Sequence, residues 1–158
     1  MMRRRVAASM LLVALVGLLA GVRPSAAESN DPMLKNSKDP KKIALQIRTA
    51  LPMVERGYSI LTSSTEAEPT AAGVDLLLKS YRLLRTAYLS NDLILSVSRF
   101  PDPLVELQNR HIMFVRQRLL DCTGNREYIR WEGAARTKCL DGLTSGLRTL
   151  RTVVATIP

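Results

Sequence analysis

Leu140, Leu143, Leu147, Leu150, Val154 and Ile157 recur at steps of three, four, three, four and three. Only an α-helix brings such positions onto one line, and the line is narrow, as in the seams of bundles and coiled coils. A helix of this kind gains its stability from packing, so other segments must cover the seam. Three more amphipathic stretches are available. Asp39-Pro40 sets an N-cap before a proline at the first helical position, and Ile43, Ile47, Ala50, Leu51, Val54, Tyr58 and Leu61 follow at helical spacing. The first helix is expected over about 40–62, bent near Pro52, which has no amide to donate. Ser63 to Pro69 reads as a loop. Thr70 then caps a second helix that runs to about Ser98, with Val74, Leu77, Tyr81, Leu84, Tyr88 and Leu95 on one face, widened by Leu78 and Leu83. Phe100-Pro101-Asp102-Pro103 stops it and starts the third helix, again with Asp before Pro. That helix is expected to bury Leu104, Leu107, Phe114, Val115 and Leu119 and to end near Cys122, with Gly124 beyond. Four such helices with short connections pack most simply as an all-α, up-down-up-down four-helix bundle over residues 40–158.

Residues 1–27 read differently. Arg3, Arg4 and Arg5 precede an apolar run from Val6 to Val22, and Ser25-Ala26-Ala27 offers the small side chains that a signal peptidase reads. The expectation is a cleavable export signal with the cut between Ala27 and Glu28, compatible with a twin-arginine route. The alternative is a retained anchor, for which the run is at the short limit of a spanning helix. Residues 28–39 then form a short polar tail with little to bury. Loss of the signal removes four arginines and lowers the formal charge from +9 to +5. The remaining excess lies entirely in residues 110–158, which carry nine basic and four acidic groups. An exported chain with a basic half is suited to acidic protein or membrane surfaces rather than to nucleic acid.

Composition excludes much chemistry. Aromatics are 4% of the 158 residues, poor material for a base-stacking platform. One histidine and two cysteines are too few for a Cys/His zinc site. His111 borders the apolar stripe of the third helix and reads as packing, with a haem held by it and Met53 or Met113 as the alternative. No nucleophile-elbow motif occurs, and the carboxylate pair Glu66/Glu68 falls in a loop. The expectation is a protein that is not an enzyme and holds no cofactor or metal of its own. Cys122 and Cys139 both lie beyond the export signal, where oxidation is permitted. A bridge needs their Cα atoms within about 7 Å, whereas a straight helix from Asn125 would carry Cys139 about 20 Å away. A disulfide therefore requires the chain to double back, through a short turn at Tyr128-Ile129 and a break at Gly133. Two buried free thiols are the alternative.

Leu84, Arg85, Tyr88, Leu89, Asp92 and Leu93, followed by Val97 and Ser98, form a polar-edged run on the second helix. Tyr88 and Asp92 are one turn apart, so the tyrosine or a neighbouring helix could orient the carboxylate, and Arg85 is two turns from Asp92 on the same side. This run resembles one on a bundle helix of the PsbQ-like family, extrinsic lumenal subunits of the photosystem II oxygen-evolving complex. The signal and bundle layout are similar over about residues 3–157, and residues 84–98 carry the specific part. Plant members have a long proline-rich arm, and the cyanobacterial lipoprotein form has a lipobox cysteine. The dozen-residue tail and the cysteine pair here point instead to an algal-type branch.

The resemblance implies a non-catalytic subunit in the thylakoid lumen, peripheral on the membrane through protein contacts. It would stabilise the photosystem II core, neighbouring extrinsic subunits and calcium and chloride retention at the manganese cluster. The motif residues would be Arg85, Tyr88 and Asp92. Candidate partner contacts are the tail, through Asp31, Lys35 and Lys38, and the basic half, through Arg110, Arg116, Arg118, Arg148 and Arg151. A subunit of the chloroplast NADH-dehydrogenase-like complex shares the fold, and in a non-photosynthetic bacterium the same features describe a periplasmic helical adaptor. The signal reading generates a direct expectation. N-terminal sequencing of the protein from its source cell should begin at Glu28, and a mature chain that retains Arg4 would refute the cleavage.

Overall fold

The computed structural model describes residues 31–124 and 133–158, without the side chains of residues 67–69. The signal segment with its Ala27/Glu28 junction and the turn at Tyr128-Ile129 lie outside the described residues. Among the described residues there are four α-helices and no strand: α1 (Pro40–Ser63), α2 (Ala67–Val97), α3 (Pro103–Thr123) and α4 (Gly133–Thr156). No described helix is long and apolar enough to cross a membrane.

The same local device starts three segments. Asp39 accepts from the amide of Lys41 at 3.0 Å and Asp102 from that of Leu104 at 2.8 Å, each with a proline at the next position. Asp31 does the same for Met33 at 2.8 Å, opening a single 3-10 turn over Pro32–Leu34. In each case an aspartate satisfies an amide that the first turn leaves free, and proline has no amide to waste there. α1 continues through Pro52, whose exposed position leaves the deprived carbonyl one turn earlier where water can reach it. α2 begins three residues before the expected cap. Glu66 is its N-cap, without a side-chain hydrogen bond, and Thr70 lies inside the first turn with its amide on the carbonyl of Glu66 at 3.1 Å.

Each helix packs on its neighbour in the chain, and α4 returns to α1. The pairings descend as the residue numbers rise: Arg48, Glu55 and Tyr58 of α1 meet Ile157, Arg151 and Thr144. Arg136 closes the other end of α1, donating to the carbonyls of Leu61 at 2.7 Å and Ser64 at 3.3 Å, where helix C-terminal carbonyls lack partners. The α1–α2 crossing is closer than ordinary side chains allow. A Cβ at Gly57 would stand 2.9 Å from Leu77 and 3.0 Å from the carbonyl of Gly73, and one at Gly73 would stand 3.1 Å from Leu61.

The core combines Ile47, Leu61, Leu77, Leu84, Ile112, Leu119, Leu143 and Leu150 from all four helices. On α4 the buried line is Cys139, Leu143, Gly146, Leu150 and Val153, together with Leu147. Leu143, Leu147 and Leu150 are inside as the spacing predicts, whereas Leu140, Val154 and Ile157 are only half-buried. α3 departs further from expectation. Val115 and Leu119 are buried with Asn109, Ile112 and Cys122, but Leu104, Leu107 and Phe114 are 45%, 48% and 37% exposed. The reason is rotation. Cys122 is bonded to Cys139 across α3 and α4 with the Cα atoms 5.2 Å apart. Pointing Cys122 inward carries Leu119, Val115 and Ile112 with it at steps of three, four and three, and turns the other apolar stripe outward. The doubling back that this bond requires ends at Gly133, whose φ of 59° lies in the left-handed region that glycine occupies freely. Closing a separation of 17 residues, the bond contributes about 3 kcal/mol through the restricted unfolded chain.

The polar tail is also more than a tail. Met33 and Leu34 pack against the core, buried Gln46 donates to the carbonyls of Met33 and Lys35, and the amide of Ser37 donates to Ser90 at 3.0 Å. Residues 31–39 are thus tied across α1 and α2, while Asp31, Lys35 and Lys38 remain exposed.

Two kinds of substitution test this packing in thermal or denaturant unfolding. Leu143→Ala or Leu150→Ala should cost about 2–5 kcal/mol, whereas Leu107→Ala should stay within about 0.5 kcal/mol. Gly73→Ala should destabilise by about 1–2 kcal/mol, because overpacking at the crossing exceeds the roughly 1 kcal/mol gained in helix propensity. Equal costs at Leu143 and Leu107 would contradict the observed rotation of α3.

Candidate functional site

Exposed apolar side chains are ordinary when scattered and informative when gathered. Among the described residues, Leu45 is the one large exposed apolar side chain outside a single hairpin. Leu89, Leu93 and Val97 stand on the outer surface of α2, Phe100 lies in the turn, and Leu104, Leu107, Met113, Phe114 and Leu120 lie on α3. Phe100 is 83% exposed and Val97 65%. The α2–α3 hairpin is therefore the candidate functional surface.

The resemblance-bearing residues fall on this hairpin. Arg85 and Asp92 are exposed, and neither forms an ion pair among the described residues. Tyr88 is half-buried and turns toward α3 rather than orienting Asp92. The Arg116 guanidinium sits over its ring at 4.7 Å from the centroid and over that of Tyr81 at 5.6 Å. Tyr81 and Tyr88 are two turns apart on α2, so both rings reach one cation from the facing helix. Arg116 has no carboxylate partner among the described residues, and its Nε is buried without a hydrogen bond. Attraction to the two ring faces offsets part of the lost hydration, at roughly 0.5–2 kcal/mol. Beside this clamp, Tyr88, Leu95, Glu106, Asn109, Arg110 and Met113 line a shallow depression of about 230 Å³. Arg85, Asp92, Glu106 and Arg110 thus set charges of both signs around exposed apolar groups. Such a surface supplies contact area through its apolar groups and register through its charges.

The other expected contacts are dispersed. Arg118 is partly buried between α3 and α4, against Gly142 and Gly146, with its guanidinium 4.9 Å from the Phe114 ring and 3.5 Å from the Asp121 carboxylate. Arg151 pairs with Glu55 of α1 at 2.8 Å, and Arg148 is exposed nearby on α4. Asp31, Lys35 and Lys38 belong to the strap over α1 and α2. Of the basic set, Arg110, Arg116 and Arg118 belong to the hairpin; Arg110 is exposed, whereas Arg116 and Arg118 are partly buried. Leu104, Leu107 and Phe114 were expected in the core; the signal for their exposure is that α3 carries a second apolar stripe, which a single core cannot absorb.

The chain matches no family model, and no curated protein or solved structure matches it either. The surface is thus described by its own residues. If the Arg116 clamp contributes as its geometry implies, a double-mutant cycle with Tyr88→Leu and Arg116→Met should return a coupling of about 0.5–2 kcal/mol in unfolding experiments. A coupling near zero would reduce the clamp to proximity.

Proposed function

We propose that the chain is an exported, non-catalytic, up-down-up-down four-helix bundle that docks on a larger partner through its α2–α3 hairpin. The observation that carries this reading is the gathering of exposed apolar side chains on that hairpin, with the tail, α1 and α4 nearly free of them. The descending pairings between neighbouring helices support the alternating topology, and a buried Cys122–Cys139 bond is in keeping with an oxidising compartment. The partner that the resemblance implies is the lumenal face of photosystem II, where the bundle would support the oxygen-evolving complex and its calcium and chloride retention. Arg85, Asp92 and Arg110 would set the register, and Val97, Phe100 and Leu107 would be covered. On this reading the docking surface is the hairpin, and of the expected contacts on the tail and the basic half Arg110 takes part, while Asp31, Lys35, Lys38, Arg148 and Arg151 do not. The same hairpin serves a second reading, an exported helical adaptor outside photosynthesis, because apolar contact does not specify the partner's identity.

The test is rebinding to purified photosystem II particles from the source organism. The chain should co-purify with them and leave in a wash near 1 M salt, where screening shortens to about 3 Å, and oxygen evolution should then depend more on added calcium and chloride. A Phe100→Ser, Leu107→Asn double variant should rebind at least about tenfold more weakly with unchanged helicity, whereas Arg148→Gln should rebind normally. Failure to co-purify, or a source without photosystem II, would leave the adaptor reading. Normal rebinding of the double variant would remove the hairpin as the surface.

A further inference from the structure

The turn between α2 and α3 sits at one end of the bundle, together with the start of α1 and the finish of α4. Pro40, Lys41 and Ile157 there share a cleft with Ile94 and Leu104. The turn presents the most exposed large apolar side chain among the described residues. Phe100 is 83% exposed, with Val97 at 65% and Leu104 at 45% on either side. Local bonds hold them out. The Ser98 hydroxyl donates to the carbonyl of Phe100 at 2.8 Å, Asp102 caps α3, and Pro101 and Pro103 fix the backbone that follows. The apolar surface continues from Leu104 into the cleft, about 460 Å³ in volume, whose walls include Ile43 and Val105. An apolar apex of this kind is unfavourable in water and marks a surface that something covers.

Cations stand beside and behind the apex. The Arg99 guanidinium lies 5.9 Å from the centroid of the Phe100 ring. Lys41 shares the cleft lining with Ile94, which precedes Val97 by about one turn, and Lys38 and Lys42 flank Lys41 in the chain. None of these four forms an ion pair among the described residues. The carboxylates of Asp39 and Asp102 at this end accept from the helix-start amides of Lys41 and Leu104. Asp92 and Glu106 lie to the side, along the outer surface of the hairpin. Apolar groups are thus outermost, with lysines set back by about 5 Å, one helical turn. That order follows the depth profile of a bilayer, in which the acyl boundary lies beneath a layer of phosphates. We propose that this end of the bundle docks on a negatively charged lipid bilayer. Phe100, Val97 and Leu104 enter the acyl boundary, and Arg99, Lys38, Lys41 and Lys42 rest among the headgroups. The lipid contact goes beyond the docking reading and does not rest on it, because lipid vesicles contain no protein partner and report on it alone.

The experiment follows tryptophan fluorescence of the full chain on vesicles of phosphatidylcholine with brominated acyl chains, with and without about 30% phosphatidylglycerol. Phe100→Trp should be quenched by the charged vesicles beyond the background from Trp131, which is read on the unaltered chain. Phe114→Trp, about 16 Å along α3 from Pro103, should not be quenched beyond that background. Quenching at position 100 should fall several-fold in neutral vesicles, and likewise at about 1 M salt, where screening shortens to about 3 Å. Added to Phe100→Trp, Lys41→Gln or Arg99→Gln should each raise the lipid concentration for half-maximal quenching about fivefold. All three altered side chains at this end are exposed, so helicity should be unchanged. An unquenched Phe100→Trp, equal quenching of Phe114→Trp, or equal quenching by charged and neutral vesicles would each overturn the proposal.

Discussion

The bond between Cys122 and Cys139 decides more of this molecule than its own stability contribution. α3 carries two apolar stripes, one through Ile112, Val115 and Leu119 and one through Leu104, Leu107 and Phe114. A helix in a four-membered ring can bury only one broad face, so rotation about its axis chooses between them. With Cys122 held 5.2 Å from Cys139 at the Cα atoms, the first stripe is inside and the second faces outward. The candidate docking surface on the hairpin is a consequence of that choice. The depth of Arg116 is another, because the same rotation brings its guanidinium over Tyr81 and Tyr88.

The opposite side of the bundle is set by close approach rather than by a covalent tie. Gly57 and Gly73 let α1 and α2 cross with backbone facing backbone, which draws Leu61 and Leu77 into full burial. The strap over these helices depends on the same packing, since Ser90 and Gln46 must present their polar groups to Ser37, Met33 and Lys35. Arg136 links α4 to the end of α1 and completes the ring. Stability and surface are thus divided: α1, α2 and α4 hold the frame, and the α2–α3 hairpin carries the uncovered apolar groups.

Much of this was legible in the chain, and the failures have specific causes. The Asp-Pro starts at residues 39 and 102 and the inward placement of Leu143, Leu147 and Leu150 followed from spacing, and the Cys122–Cys139 bond, which export allowed and geometry made conditional on a doubled-back chain, is present. The start of α2 was missed because its N-cap, Glu66, makes no side-chain capping bond and leaves no local signature. The tail was read as having little to bury because its anchors are mostly backbone carbonyls, which every residue possesses. Arg116 and Arg118 were expected as partner contacts, yet their guanidinium groups lie over aromatic rings and their Nε atoms are buried. Long cationic side chains lie along apolar surface readily, and that surface exists only once the helices pack.

By itself the sequence determined which segments are helical, where two of them begin, and that Cys122 and Cys139 could meet only if the chain doubled back. These follow from periodicity, capping and covalent reach, all of which act over a few residues or through simple distance limits. The tertiary structure alone decided which stripe of α3 is buried, how the strap is held and where Arg116 rests. Each of these depends on surfaces contributed by segments far apart in the chain, and their complementarity is a property of the packed helices rather than of any one of them.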